Sequence, residues 1–169
     1  MAAKPNVKPL DIEATFAEEG LDARALITRT DTKGIITFAS KAYRDMTKYS
    51  RNELIGKPHS IVRHPFMPEA AFKEMWDTIK QGKHWEGMVK NLRKDGKYYW
   101  VVVQIDPIDE SGNIIYNEPE KIAGYVAVRR EPSRSEVAEA DKLYRSMRKA
   151  ELLAKQNLKD WEKELLEQL

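Results

Sequence analysis

The densest chemistry in this sequence lies in His59-Ser-Ile-Val-Arg-His-Pro-Phe-Met-Pro68, where an arginine and a histidine adjoin between apolar residues and two prolines. Proline fixes its own backbone and restricts the residue before it, so the segment is held in one shape and can aim Arg63 and His64 at a ligand. The same residues also suit an ordinary loop, with Arg63 on the surface and His64 capping a turn. A second group is aromatic: Trp76, Trp85, Tyr98, Tyr99 and Trp100. Such rings usually form core. An indole beside a basic group also suits a planar, electron-accepting ring, one to stack on and the other to stabilise developing negative charge.

Several other chemistries are excluded. The sequence has no cysteine, so disulfides, thiolate metal sites, thiol nucleophiles and cysteinyl photoadducts fall away, as suits a reducing compartment. The only histidines are His59, His64 and His84, and none is spaced to put two metal ligands on one helical face, so no metal site is expected. There is no Walker A loop, G-x-G-x-x-G or G-x-S-x-G, and no paired acid and base, so the expectation is a non-enzyme. Net charge is +2, from 29 basic and 27 acidic side chains, too weak a field to hold nucleic acid by charge alone. No run approaches the roughly 18 apolar residues needed to cross a bilayer, and the N-terminus has no leader-like apolar region. A cytoplasmic protein without direct membrane insertion is expected, associated with a membrane only through a receptor partner.

These residues need elements to position them. A chain of 169 residues accommodates one core plus an extension. Residues 1–21 read as a polar arm or cap with one short helix around Ile12 to Glu19. Ala25 to Asp31 and Ile35 to Phe38, joined by Asp31-Thr-Lys-Gly34, read as a β-hairpin. Apolar spacing from Ser40 to Tyr49, and the Ser50/Glu53 capping signal, indicate two short helices. Pro68 opens an amphipathic helix carrying Ala71, Phe72, Met75, Trp76 and Ile79 on one face, ended by Gly82. Trp85 to Leu92 and Tyr98 to Ile105 form a second hairpin around Arg93-Lys-Asp-Gly96, and Ile122 to Val128 is a fifth strand. The plan is α+β, a five-stranded antiparallel sheet with helices on one face, plus a C-terminal amphipathic helix.

Residues 22–131 form the expected sensor domain, and residues 132–169 a signalling or coiled-coil helix capped by Ser133 or Ser135 and running nearly to the end. Its residues Tyr144, Met147, Glu151, Ala154, Leu158, Trp161 and Leu165 alternate three and four apart, a heptad seam flawed at Glu151. Two readings stay open: a coiled coil or partner helix, with a homodimer as one form, or an amphipathic helix folded back onto its own domain.

Taken together, GKPHSIVRHPFMPEAAFKEMW, GKHWEGMVKNLRKDGKYYWV and IAGYVAVR closely resemble the PAS domains of bacterial aerotaxis receptors over roughly residues 22–130. The specific parts are Pro58-His59, Val62-Arg-His-Pro65, Met67-Pro68, Lys90-Asn91 and the Lys94-x-Gly96 turn with Tyr99-Trp-Val. The resemblance implies a PAS fold that binds FAD noncovalently between helices and sheet, senses redox state or electron-transport activity, and signals to a chemotaxis receptor. It implies that Arg63 and His64 lie at the flavin site, that Trp85 flanks the ring and that Asn91 hydrogen-bonds its polar edge. Light-sensing LOV domains share the fold but use a cysteine that this chain lacks. Two positions depart from the family pattern: Phe66 stands where an aspartate is frequent after His-Pro, and Ser40 where an asparagine is frequent, though its hydroxyl can still hydrogen-bond a ligand.

The expected mechanism is electrostatic. Arg63 stays protonated and His64 changes charge near neutrality, so the pair reads flavin reduction, and Trp85 and Asn91 relay it to the strand ending at Arg130 and the helix beyond. No kinase, cyclase or receptor module follows in the sequence, so output passes to a chemotaxis receptor or other signalling protein. Two rivals stand beside this: haem b bound through His59 or His64 for oxygen sensing, and a ligand-free dimerisation module.

Overall fold

The computed structural model describes residues 4–169. Five strands, β1 (Leu26–Asp31), β2 (Ile36–Ala39), β3 (Trp85–Leu92), β4 (Tyr98–Ile108) and β5 (Gly124–Arg130), form one antiparallel sheet in the order β2-β1-β5-β4-β3. The first hairpin turns where the sequence places it: the Asp31 carboxylate accepts from Lys33 N (2.8 Å) and Ile35 N (3.0 Å). Gly34 follows at φ 81°, a conformation that costs a glycine little. The second hairpin closes through Arg93, whose N–H donates to Lys97 O at 2.8 Å.

The helices between the hairpins begin at the expected caps. Ser40 caps α1 (Lys41–Thr47), and Ser50 with Glu53 forms a full capping box on α2 (Arg51–Leu54). A 3-10 turn covers His59–Val62, and α3 (Glu69–Ile79) starts just after Pro68. These helices lie on one face of the sheet. The core between the layers holds Leu26, Ile36, Tyr43, Met46, Leu54, Tyr99 and Val101.

The two termini depart from expectation. Residues 12–14 pair with the sheet instead of opening a helix: Tyr98 N donates to Ile12 O (3.0 Å) and Ala14 N to Tyr98 O (2.7 Å). Residues 16–20 form turns, because strand pairing claims the backbone groups a helix over Ile12 to Glu19 would use. The C-terminal segment is two helices, α4 (Arg134–Leu153) and α5 (Asp160–Gln168), where one continuous helix was expected. Ser133 and Glu136 form the capping box that starts α4. The helix ends in the polar stretch Ala154–Lys159, and an ion pair from Lys155 to the buried Glu162 joins the two sides of the break. The heptad seam is therefore split; Leu165 is buried, Tyr144, Met147, Glu151, Leu158 and Trp161 are half-buried, and Ala154 at the break is exposed. Tyr144 stacks on Trp100 with ring centroids 6.2 Å apart and donates to Met88 O at 2.9 Å. Of the two readings of this segment, the structure follows the folded-back one.

Candidate functional site

Strand alternation decides what faces the helices. On β3, Trp85, Gly87, Val89 and Asn91 share the inner face, while Met88 and Lys90 share the outer one. Trp85, Val89 and Asn91, with Thr28 and Thr30 of β1, Val103 and Ile105 of β4, and Tyr125, Ala127 and Arg129 of β5, line a cavity of about 280 Å³. The cavity is covered by Phe72, Met75, Trp76 and Ile79 of α3, which is the apolar face read from the sequence, and by Pro58, His59, Ser60 and Arg63. No aspartate or glutamate lines it, whereas Lys33, Arg63 and Arg129 do.

Arg63 sits where the connecting segment meets the sheet, its backbone bridged to Asn91. Its guanidinium lies 4.1 Å from the Phe72 ring centre. Its Nη2 is buried without a hydrogen bond, and among the described residues the side chain makes no salt bridge. Burial pulls its pKa down from the usual arginine value. Trp85 Nε1 is the second buried donor at this cavity left without a partner. The indole folds back over its own strand: a Cβ on Gly87 would lie 2.4 Å from the ring, so the absence of a side chain there lets Trp85 take its position. Unpaired buried donors are uncommon, and two at one cavity mark where an acceptor belongs.

Behind them lies a buried basic network. Arg129 Nη2 donates to His59 Nε2 (2.7 Å) and to Thr28 Oγ1 (3.0 Å), and its guanidinium carbon lies 4.8 Å from the Tyr43 ring centre. With Nε2 accepting, the His59 proton belongs on Nδ1. Burial and the adjacent Arg129 charge push the His59 pKa down to about 3, so the ring stays neutral at ordinary pH.

Of the residues singled out from the sequence, the cavity gathers Arg63, Trp85, Asn91 and His59. Ser40, His64 and Phe66 lie outside it. Ser40 Oγ accepts from Ile27 N (3.1 Å) and Tyr43 N (3.3 Å), so its hydroxyl is spent on capping and on the strand edge. His64 Nδ1 accepts from Phe66 N at 3.0 Å, which makes it the turn cap that the sequence offered as the alternative. Burial, together with the charges of Lys90 and Arg145, holds its pKa well below the usual histidine range, the opposite direction to a group poised to change charge near neutrality. Phe66 packs on His64 and under Arg145, 4.7 Å from the guanidinium carbon. His84 is elsewhere, paired with Asp106 at 2.7 Å.

Sequence reasoning missed Arg129. The signal was present, because Tyr125, Ala127 and Arg129 alternate along β5 and an inward arginine follows from that period. It also missed how the C-terminal helices grip the site. The side chain of Arg148 on α4 is 2% exposed and donates from Nε to Pro65 O at 3.0 Å. The Glu151 carboxylate accepts from Glu69 N (2.9 Å) and Ala70 N (3.0 Å), satisfying donors at the start of α3. The residue that flaws the heptad seam is thus a helix cap supplied from another element. Arg148 and Glu151 also pair with each other at 3.3 Å, and both charges act on Arg63.

The outer face of the same strands is built differently. Lys90, buried there, lies within 4.5 Å of the Phe66 ring centre, 4.2 Å of Tyr98 and 5.8 Å of Trp100. Burial lowers its pKa to about 8, against the pull of Asp141.

The family described as PAS fold matches residues 36–118. Over 126 residues, 75% of this chain, the sequence is 39% identical to the aerotaxis receptor of Escherichia coli, of which the match covers 23%. It is 29% identical over 111 residues, 66% of the chain, to a nitrogen fixation regulatory protein of Klebsiella pneumoniae, covering 21% of that protein. The chain thus spans less than a quarter of these relatives. Among solved structures it is similar to a PAS domain from Colwellia psychrerythraea, with a TM-score of 0.54 and 23% identity, covering 65% of this chain and 87% of that one. A light-oxygen-voltage domain, solved in work on a flavin analogue, gives a TM-score of 0.57 at 20% identity, covering 73% and 89%. Strand order, the helices packed on one face of the sheet and these matches agree: the chain contains a PAS domain, similar in sequence to part of the aerotaxis receptor.

Proposed function

We propose that this chain is a flavin-binding redox sensor, with FAD as its cofactor, which reports through its C-terminal helices to a chemotaxis receptor or other signalling protein and does not turn over a substrate. The observation that carries the proposal is the pair of buried, unpartnered donors, Arg63 Nη2 and Trp85 Nε1, at an acid-free cavity walled by aromatic and aliphatic side chains. A buried donor without a hydrogen-bond partner is costly, and a planar ligand with acceptors on its edge and negative charge to gain removes that cost. When bound, a flavin supplies reversible uptake of electrons. The name of the aerotaxis receptor relative agrees with such a sensor.

In this reading Arg63 and Arg129 hold positive charge near the ring, Asn91 and Trp85 orient its polar edge, and Phe72 and Trp76 exclude water. His59 keeps Arg129 in place as a neutral acceptor. The route outward is short: Arg63 precedes His64-Pro65, whose carbonyl Arg148 grips, and Glu151 beside it caps α3. A charge gained in the cavity draws on Arg63 and so changes what Arg148 and Glu151 experience. Haem b fares worse. The Nε2 of His59 accepts from Arg129, and His64 is not among the residues lining this cavity, its Nδ1 engaged by Phe66 N. Among the described residues no helix is long and apolar enough to cross a membrane.

The test is an absorption spectrum of freshly purified protein, followed by heat release and separation of the chromophore against FMN and FAD standards. A flavin spectrum with FAD released supports the reading. A Soret band replaces it with haem, and a protein that stays colourless after incubation with FAD leaves a ligand-free interaction module.

A further inference from the structure

A second cavity of about 310 Å³ shares Pro58, Ser60 and Arg63 with the first, so the Pro58-to-Arg63 segment borders both. Lys4, Lys57, Arg63 and Arg148 line the second cavity without a single carboxylate, although the chain as a whole is nearly neutral. Arg148 of α4 and Trp161 of α5 contribute to the wall, so the C-terminal segment takes part in forming this cavity. The inner cavity, at about 280 Å³, sits at the lower bound of small-molecule sites, which run from roughly 300 to 1,000 Å³. It has room for a ring system and none to spare for a nucleotide tail. Clustered guanidinium and ammonium groups suit phosphates, and an indole face suits a base.

We infer that the outer cavity seats the anionic nucleotide tail of a flavin whose ring occupies the inner one, and that α5 closes on that tail through Trp161. This rests on the flavin reading above. It makes the output helices part of the ligand site, and it places Arg63 where ring and tail meet. Occupancy by the dinucleotide then stabilises the folded-back position of α5, whereas the bare ring system does not.

The experiment is equilibrium binding of riboflavin, FMN and FAD to the full chain freed of chromophore, followed by flavin fluorescence, with Lys57→Glu and Trp161→Ala beside the parent. Lys57 is exposed, so its variant folds even if loss of the indole disturbs α5. The expected result is FAD binding at least about tenfold tighter than riboflavin, a gap of roughly 1.4 kcal/mol, and both variants closing that gap by weakening FAD. The preference should also shrink as salt is raised. A second reading is limited proteolysis at the Ala154–Lys159 connection, which FAD should slow and riboflavin should not. Equal affinities for the three flavins, or variants that weaken riboflavin and FAD alike, overturn the inference while the flavin reading stands. Failure of every flavin to bind overturns the flavin reading itself.

Discussion

The two faces of β3 and β4 bury charge in opposite ways. On the outer face Lys90 is wrapped by Phe66, Tyr98 and Trp100, under α4 and beside the N-terminal arm, so the protein itself surrounds its cation. On the inner face Arg63 Nη2 and Trp85 Nε1 are buried at a cavity, and among the described residues neither atom has a hydrogen-bond partner. The strands are the same and the side-chain types overlap. What separates structure from site is whether the polar groups are satisfied, because an unsatisfied buried donor is a cost the fold can recover only by binding something.

The largest effect that breaks this contrast is at His59, behind the inner face. With its folded pKa near 3 and an unfolded value near 6.5, the unfolded chain binds more protons throughout that window. Stability should therefore fall as pH drops from 6.5 towards 3, by an amount on the order of 5 kcal/mol at most. His64, also depressed, acts in the same direction. Urea denaturation against pH should show a clearly shallower acid slope in His59→Gln; an unchanged slope would mean that the His59–Arg129 contact does not govern acid stability.

Next comes Arg63→Met, which keeps volume and removes the unpartnered donor. Flavin affinity should drop about 100-fold, near 2.7 kcal/mol, while the flavin-free protein gains about 1 kcal/mol. Titration and denaturation on the same sample check both signs. A loss of both affinity and flavin-free stability would show the guanidinium to be structural, and the contrast between the faces would fail.

Gly87→Ala sharpens the comparison by moving the indole without touching a charge. The added methyl cannot coexist with the present Trp85 ring, so a cost of about 2 kcal/mol is expected. Indole fluorescence should shift with it, and flavin binding should weaken. Lys90→Met gives the smallest effect, a change within about 1 kcal/mol at pH 7 and no loss of flavin. The parent should grow more stable from pH 8 towards 10, because the unfolded chain then holds the proton that the folded Lys90, facing Asp141 and Arg145 of α4 and Asp11 and Glu13 of the arm, has released. Lys90→Met should lack that rise.

Much of the scaffold was legible in residue order. Ser40, Ser50 and Ser133 cap the helices they precede, and Asp31 to Gly34 makes the turn it spells, because caps and turns involve groups only a few residues apart. The period of two placed Trp85 and Asn91 together on one face of β3, and the period of three and four placed Phe72, Met75, Trp76 and Ile79 over them. The segment between, His59 to Pro68, has no period. Nothing in its order distinguishes Arg63, which reaches the cavity, from its neighbour His64, which caps Phe66 N.

The remaining decisions belonged to contacts far apart along the chain. Arg129 meets His59 across 70 residues, and Glu151 caps α3 from 82 residues away. The heptad spacing of residues 144–165 was real, but spacing states only that one side of a helix is apolar and leaves open what that side covers. Trp100 and Met88 of its own sheet took Tyr144, and the break at Ala154–Lys159 let α5 return. Local order fixes which groups can share a face; which faces meet, and which buried donors are left unanswered, is settled only when the whole chain packs.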